Sequence, residues 1–413
     1  METSEVRRGY PSVACVNLPA IAHNLRVLRA SAPAAVQMAI IKADAYGHGL
    51  LPVALTSLEA GANWLGVAQL AEALTLRSGL DEAGIAREQS PIFAWISSTR
   101  TDFASALRAD IDLSISWTWA LEEICQAARL EGKTARVHVK IDTGMSRAGS
   151  TLADLPELAR SLFDAQEQGL ITVVGAWSHM SRADDPTLAG EESTRSHVSI
   201  FEEGLRILAE AGVRPQIRHL AATSGILWYP ETHYDMVRAG IGMYGLSPDP
   251  AVKSAQDLGL EAAMTLSAPL TSVKVIEEGT PASYGGTWQA PSRRWIGLVP
   301  LGYGDGILRA SSNGAPLVVE TAQGPVQTRI VGRVCMDQFM VDLGPAEGEQ
   351  GTPSAASGTA PARVGDRAVL FGDARRGYPM ADQWADHAGT INYEIVTRLG
   401  ERIPRTYQHE EEQ

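Results

Sequence analysis

A lysine set between apolar and glycine-rich residues is the strongest chemical signal in this 413-residue sequence. Lys42 lies in AIIKADAYGHG (39–49), where a strand-like run, VQMAIIKAD (36–44), passes into a glycine-rich turn. Parallel strands are normally buried and apolar, so a lysine at the end of one needs a partner or a task. A partly desolvated amine loses its proton more readily and becomes a nucleophile, able to form a Schiff base with a carbonyl. The structural alternative is an ion pair with Asp44. Arg238 lies in VRAGIG, whose small and apolar neighbours mark it as buried rather than a surface arginine. A guanidinium there has only donors and effectively never gives up its proton. None of the nine histidines pairs with another at a metal-ligand spacing on one helical face. GYGDG (302–306) lacks the strand–helix setting of a dinucleotide or P-loop motif.

The elements that must position these residues alternate in period. Strand-like runs recur at 36–44, 64–68, 92–96, 113–117, 136–142, 173–180, 217–223 and 236–245. Between them lie amphipathic stretches such as LPVALTSLEAGA and LADLPELARSLFDAQEQG. Eight strands separated by helices predict an α/β fold, a (β/α)8 TIM-type barrel, with a doubly wound sheet as the alternative. In a barrel Lys42 falls at the C-terminal face, where active sites are built. Ser224 follows strand seven, and Gly240 and Ile241 follow strand eight, the loops at which barrels often bind phosphate through backbone N–H groups. Beyond residue 246 the texture changes to apolar alternation punctuated by Gly and Pro: LTSVKVIEE, RRWIGLVPL, APLVVE, VQTRIVGRV, QFMVDLG and RAVLFG. These predict a mostly antiparallel β domain, into which TINYEIV (390–396) reads as a further strand. The expected domains are a barrel over 1–245, its first residues pairing with the β domain, and a β domain over 246–413. AEGEQGTPSAASGTAPA (346–362) reads as a flexible surface loop inside that domain, and 405–413 as a frayed polar tail.

Composition narrows the class further. Hydrophobic residues make up 45% and charged residues 20%, an ordinary globular balance. Three unpatterned cysteines argue against a disulfide scaffold or a structural zinc site. A net charge of −13 disfavours nucleic acid and membrane surfaces as partners. No apolar h-region opens the sequence and no run reaches about 18 apolar residues, so the expectation is a soluble, cytoplasmic protein.

AIIKADAYGHG, KIDTGMSRAG (140–149), VRAGIGMYG (237–245), SYGG (283–286), GYGDG (302–306), CMDQFMVD (335–342) and INYE (391–394) together resemble the alanine racemases, in family order over nearly the whole chain. The resemblance implies a pyridoxal 5'-phosphate enzyme of barrel-plus-β-domain type, a head-to-tail homodimer with shared active sites. It further implies that L- and D-alanine interconvert through a pyridoxal-phosphate aldimine with two opposed bases, supplying D-alanine for peptidoglycan. Lys42 matches the family's Schiff-base lysine and base on one substrate face. Tyr284, from the other subunit, matches the base on the opposite face, with His179 and Arg238 behind it. A free tyrosine, with a pKa near ~10, is a poor base at neutral pH, so neighbouring cations or donors must favour its phenolate. Arg238 resembles the residue facing the cofactor's pyridine nitrogen, which it would leave unprotonated. Tyr46 and Tyr393 match phosphate-binding tyrosines, beside Ser224, Gly240 and Ile241. Arg147 resembles the arginine that contacts the substrate carboxylate, a bidentate task suited to a guanidinium. Met336, from the partner subunit, would offer its backbone N–H to the same carboxylate. Lys140 matches a position carbamylated in some members, and Asp184, Tyr303, Arg309 and Arg333 resemble residues lining the substrate entrance.

Each residue alone has a plainer reading: His179 a satisfied core histidine, Tyr284 an aromatic on a turn, Tyr46 and Tyr393 structural tyrosines, Lys140 an ordinary lysine. The joint pattern outweighs them. Three other functions stay open. A decarboxylase of the same architecture generally pairs the pyridine nitrogen with a carboxylate, where this sequence has Arg238. A racemase acting on serine or a broader amino-acid set is not separable by sequence. A non-catalytic pyridoxal-phosphate binder of this kind is a single barrel, lacking the second domain that carries Tyr284 and Met336.

Overall fold

A computed structural model of the chain describes residues 9–346 and 360–409. Most of the segment read as a surface loop, residues 347–359, lies outside the described residues, as does the end of the tail, 410–413. Two compact units are present. One comprises Ile21–Ala45 and Gly49–Leu260; the other comprises the described residues through Ala20, Tyr46–His48, and those from Glu261 onward.

The first strand, β1 (Val13–Asn17), belongs to the second of these units. The first unit holds eight strands: β2 (Val36–Ile40), β3 (Trp64–Gln69), β4 (Ile92–Ile96), β5 (Ile111–Ile115), β6 (Ala135–Lys140), β7 (Ile171–Trp177), β8 (Ile217–His219) and β9 (Met236–Ala239). They pair in parallel in the order β8-β7-β6-β5-β4-β3-β2-β9, the TIM-type barrel that the alternation predicts. The seam between β8 and β9 is short of a regular ladder. It is closed by Asp235 N–H donating to Arg218 O at 3.1 Å and Arg238 N–H donating to Ala221 O at 3.0 Å. Strands buried on both faces read as continuous apolar runs, and β5 is buried at every residue. The helix Leu155–Glu167 shows the complementary logic. Leu155, Leu158, Ala159, Leu162 and Ala165 recur at spacings of three and four, and all are buried. Its three fully covered leucines each contribute about 1.5–3 kcal/mol relative to exposure.

The second unit is a nine-stranded sheet. It contains β1, β10 (Met264–Pro269), β11 (Ser272–Ile276), β14 (Arg294–Val299), β15 (Pro316–Thr321), β16 (Gly324–Val331), β17 (Phe339–Pro345), β18 (Arg367–Phe371) and β19 (Arg405–Gln408). A two-stranded ribbon of β12 (Pro281–Ala282) and β13 (Trp288–Gln289) accompanies it. Pairing is antiparallel except between β1 and β19.

Two expectations are corrected here. TINYEIV is not a strand: Asn392–Thr397 is a short helix, with Asn392 Nδ2 donating to Asp382 Oδ1 at 2.6 Å and Ile395 and Val396 buried. Six residues are too few to display a helical period, and β-branched residues among them imitate a strand. Residues 405–408 are not frayed: they form β19, in register with β1 from Ala14↔Arg405 to Asn17↔Gln408.

Candidate active site

Lys42 follows β2 and opens a turn of the wrong hand. Ala43, Asp44, Ala45 and Tyr46 have φ of 53°, 54°, 52° and 53°, so Lys42–Gly47 winds as a left-handed helical turn. For residues bearing a Cβ this costs roughly 1–2 kcal/mol each, and the surroundings must enforce it. Ala45 N–H donates to Ile41 O and Gly49 N–H to Asp44 O, both at 2.9 Å. Asp44 Oδ1 accepts Leu50 N–H at 2.7 Å. Glu72 ties the turn to the helix Leu70–Glu82, which follows β3. Its Oε1 accepts Ala43 N–H at 2.5 Å, and its Oε2 accepts the N–H groups of Gln69 and Ala68 at 2.9 and 3.0 Å. The sequence reading passed over Glu72; the spacing of Gln69 and Glu72, a capping-box pattern, is the signal that finds it.

The residues expected around Lys42 come from successive strand ends of the same barrel. Lys140 is the last residue of β6, and Arg147 follows it in a loop shaped by Asp142, whose Oδ1 accepts the N–H groups of Gly144 and Ser146 at 3.0 Å. His179 lies two residues beyond β7, and Arg238 is in β9. Burial, then the charge of Arg147, holds the Lys42 amine below the usual lysine range. Burial, then Arg147 and Arg238, brings Lys140 down to about 8, with its Nζ 4.4 Å from the centre of the Trp177 ring. Burial alone brings Arg238 to about 9. Burial and the Arg238 charge hold His179 well below its ordinary value, so it is neutral. Four cationic side chains thus share one field, opposed by Glu72 and Asp142. Such a site favours anions and the neutral form of its amines.

Arg238 is buried, and its terminal nitrogens are fully engaged. Nη1 donates to His219 O at 2.9 Å and His219 Nδ1 at 3.2 Å. Nη2 donates to Ser178 O, Leu220 O and His179 Nδ1 at 2.8, 2.9 and 3.3 Å. Nε takes no part in these bonds. Because Arg238 donates to His179 Nδ1, the imidazole carries its proton on Nε2.

Ser224 lies in the short helix Thr223–Trp228, and Ile241 opens the 3-10 turn Ile241–Tyr244. Thr223 joins them, its Oγ1 accepting Gly240 N–H at 3.1 Å. The Gly240 N–H is therefore occupied within the chain, whereas those of Ser224 and Ile241 make no hydrogen bond among the described residues. Asp184 is exposed on the segment after β7.

The remaining expected residues belong to the sheet unit. Tyr46 and Tyr393 lie with ring centres 6.2 Å apart, and burial pushes the Tyr46 phenol up. Tyr284 is 72% exposed, and its hydroxyl makes no hydrogen bond among the described residues. It stands on a strained turn, between Ser283 at φ 61° and Gly285 at φ 74°. Tyr284 and Met336 line one open groove of about 400 Å³ with Ser283, Cys335, Asp337 and Phe339. Arg333 closes the turn: its carbonyl accepts Ser283 Oγ at 2.6 Å, and its guanidinium lies 3.1 Å from where a Cβ on Gly285 would stand. GYGDG finds its role here. A Cβ on Gly302 would stand 2.3 Å from the carbonyl oxygens of Cys335 and Met336, so glycine lets the segment bearing Tyr303 pass directly over them. Tyr303 and Arg309 lie in 3-10 turns of this unit.

A lysine with a depressed pKa at the end of a barrel's first strand, in a field of fixed cations, with a mostly antiparallel β unit in the same chain, defines a barrel-plus-sheet enzyme. Residues 16–248 match the family described as alanine racemase, N-terminal domain, and residues 263–407 the alanine racemase, C-terminal domain. An alanine racemase of Frankia casuarinae is 42% identical over 98% of this chain and 100% of its own length. That of Beutenbergia cavernae is 46% identical over 96% and 98%. The crystal structure of alanine racemase from D-cycloserine-producing Streptomyces lavendulae superimposes with a TM-score of 0.88 at 42% identity, covering 98% of each chain. That from Streptomyces coelicolor A3(2) gives 0.89 at 41%, covering 97% of this chain and 99% of the other. The chain belongs to the alanine racemase family.

Proposed function

We propose that this protein interconverts L- and D-alanine with pyridoxal 5'-phosphate held on Lys42, as a cytoplasmic homodimer that supplies D-alanine for peptidoglycan. The observation that carries this is the Lys42 amine, kept below the usual lysine range on an enforced left-handed turn, in a chain whose full-length relatives are alanine racemases. The residues present fit the cofactor. Lys42 offers a nucleophilic amine, Arg238 offers a guanidinium nitrogen, Nε, that makes no hydrogen bond among the described residues, and the N–H groups of Ser224 and Ile241 suit a phosphate, while Tyr46 and Tyr393 match the family's phosphate-binding tyrosines. Bound there, pyridoxal phosphate supplies the electron-withdrawing carbonyl group that acidifies the α C–H of an amino acid.

The chain's own residues do the rest. Lys42 Nζ removes or returns the α-proton on one face of the substrate. Tyr284 of the partner subunit does so on the other, so a proton taken by one base and replaced by the other inverts the carbon. Tyr284's exposure and unused hydroxyl suit a residue that serves a neighbouring chain. Neutral His179, with its proton on Nε2, donates to the phenolate that results and is itself oriented by Arg238. Arg147 holds the substrate carboxylate, helped by the N–H of the partner subunit's Met336, while Tyr303, Arg309, Arg333 and Asp184 shape the entrance. In this reading residues 1–245 form the cofactor domain, except that the first strand pairs with the sheet, and 246–413 form the domain that presents Tyr284. Arg238, a donor without an acidic proton, favours racemisation over decarboxylation or transamination by leaving the ring nitrogen unprotonated.

The test is proton NMR of the holoenzyme with L-alanine in deuterated water, with chiral analysis of the product. Loss of the α-proton signal as D-alanine rises toward a 1:1 ratio supports the reading. Release of carbon dioxide, or turnover of serine in preference to alanine, contradicts it.

A further inference from the structure

The centre of the barrel is not apolar. Asp112 of β5, His138 of β6 and His219 of β8 are 1%, 0% and 0% exposed, and they form a continuous chain that ends on Arg238. Asp112 Oδ2 lies 3.2 Å from His138 Nε2, His138 Nδ1 lies 3.0 Å from His219 Nε2, and His219 Nδ1 lies 3.2 Å from Arg238 Nη1. At its far end Asp112 accepts Arg136 Nε and Nη2 at 2.8 and 3.1 Å.

Both ends fix the direction of this chain. Arg238 has no acceptor, so His219 Nδ1 presents a lone pair and its proton is on Nε2. That proton requires a lone pair on His138 Nδ1, so the His138 proton is on Nε2 and points at Asp112. Asp112 accepts from Arg136 on both oxygens, as a carboxylate does. A doubly protonated His138 would turn an N–H at the His219 Nε2 proton, so the geometry admits only the neutral ring. Burial and Arg238 likewise hold His219 well below its ordinary value.

The packing keeps the two rings in register. His219 stacks on Trp177 with centroids 5.8 Å apart and planes 6° from parallel, and His138 lies 4.5 Å from Phe93. The β6–β7 ladder shifts register between Val137 and His138, and Gly175 stands opposite. A Cβ on Gly175 would lie 2.2 Å from His138 Nδ1, so glycine is what leaves room for the ring.

We propose that Asp112 and His138 are positioning residues for Arg238: they hold His219 with its Nδ1 lone pair turned to the guanidinium, and so fix the direction in which Arg238 presents its remaining N–H. The proposal rests on the reading of Arg238 as the cofactor-facing arginine. The chain polarises in one sense from Arg238 to the Asp112 carboxylate, and each bond strengthens the next.

The test reads the rings directly. Histidine tautomers are measured by long-range proton–nitrogen correlation in ¹⁵N-labelled apoprotein, and pyridoxal-phosphate affinity is measured alongside, for the wild type and the Asp112→Leu and Asp112→Asn variants. In the wild type both His138 and His219 are protonated on Nε2 alone. Asp112→Leu strands the His138 Nε2 proton, mixes the tautomers and weakens cofactor binding about tenfold, the equivalent of one misaligned hydrogen bond. Asp112→Asn retains an acceptor oxygen for His138, while Arg136, whose side chain is 46% exposed, swings out to solvent away from the amide NH2, and so restores both readouts. An Nδ1 proton on either ring of the wild type overturns the proposal without any variant. So does Asp112→Leu with unmixed tautomers and unchanged affinity, or Asp112→Asn as damaging as Asp112→Leu. Should Asp112→Leu not fold, Gly175→Ala displaces the His138 ring without removing a polar group and is expected to mix the tautomers in the same way; unmixed tautomers in that variant overturn the proposal. Should the wild type fail to bind the cofactor or to racemise, the functional reading falls, while the apoprotein tautomers still decide the chain.

Discussion

Replacing Ala43 by glycine tests whether the Lys42 turn is held in a strained hand. Ala43 is exposed at φ 53°, its Cβ packs against little, and its N–H bond to Glu72 is available to any residue. Glycine removes roughly 1–2 kcal/mol of left-handed strain. It restores about 0.4–1 kcal/mol of freedom to the unfolded chain, which acts against stability. The balance is a gain of about 0.5–1 kcal/mol, whereas the same change inside a right-handed helix costs about 1 kcal/mol. For a barrel of this size the melting temperature should rise by about 2 °C. The assay is thermal unfolding of the apoprotein, where no cofactor contributes by mass action. It is followed by the fluorescence of Trp64, Trp95 and Trp177, all within the barrel. The gain in stability comes with looser placement of Lys42 and a several-fold loss of kcat. A destabilisation of about 1 kcal/mol would refute the strain argument, because it would mean the turn behaves as an ordinary helix.

Other predictions follow from the site. Burial and the neighbouring guanidinium charges bring Lys140 down to about 8 in the folded protein, against about 10.4 for an ordinary lysine, so its contribution to stability is full above about 10.4 and is lost as pH falls through about 8. It amounts to about 3 kcal/mol. Lys140→Met should flatten the rise in apoprotein stability between pH 8 and 10, measured by urea titration; a wild type already flat over that range would mean that Lys140 does not titrate, as a carbamylated lysine would not. Tyr284→Phe should slow proton transfer on one face more than the other, read from deuterium incorporation starting separately from L- and D-alanine; equal, small effects in both directions would count against its role. Lys42→Ala and Tyr284→Phe, each inactive, should recover activity when mixed and reassembled, and no recovery despite demonstrated subunit exchange would place both bases in one chain.

The eight barrel strands are legible because short runs enriched in Val, Ile and Ala recur between longer amphipathic helical stretches. Lys42 and Arg238 are legible for a related reason, as charged residues set among small and apolar neighbours, whereas Arg147 and His179 are legible only through the resemblance of their motifs to the alanine racemases. The left-handed turn is not legible. KADAY contains alanines and an aspartate but no glycine before Gly47, and alanine favours the right-handed helix; the hand is imposed by Glu72, Asp44 and the packing around them. The strand β19 escapes because RTYQ is short and polar, and its only partner is β1, nearly the whole chain away. The Asp112–His138–His219 chain escapes because His138 alternates with Val137 and Val139 as any strand residue would. Nothing local states that its side chain meets His219 across the barrel.

The central claim is that Lys42 is the amine that carries the cofactor. Borohydride reduction of the holoenzyme converts a lysine–carbonyl linkage into a stable secondary amine, which peptide mapping by mass spectrometry locates. The account predicts a single pyridoxyl adduct on the peptide containing Lys42, irreversible loss of activity in step with it, and no adduct in Lys42→Ala. An adduct on Lys140 or another lysine, or none at all on an active enzyme, would contradict it.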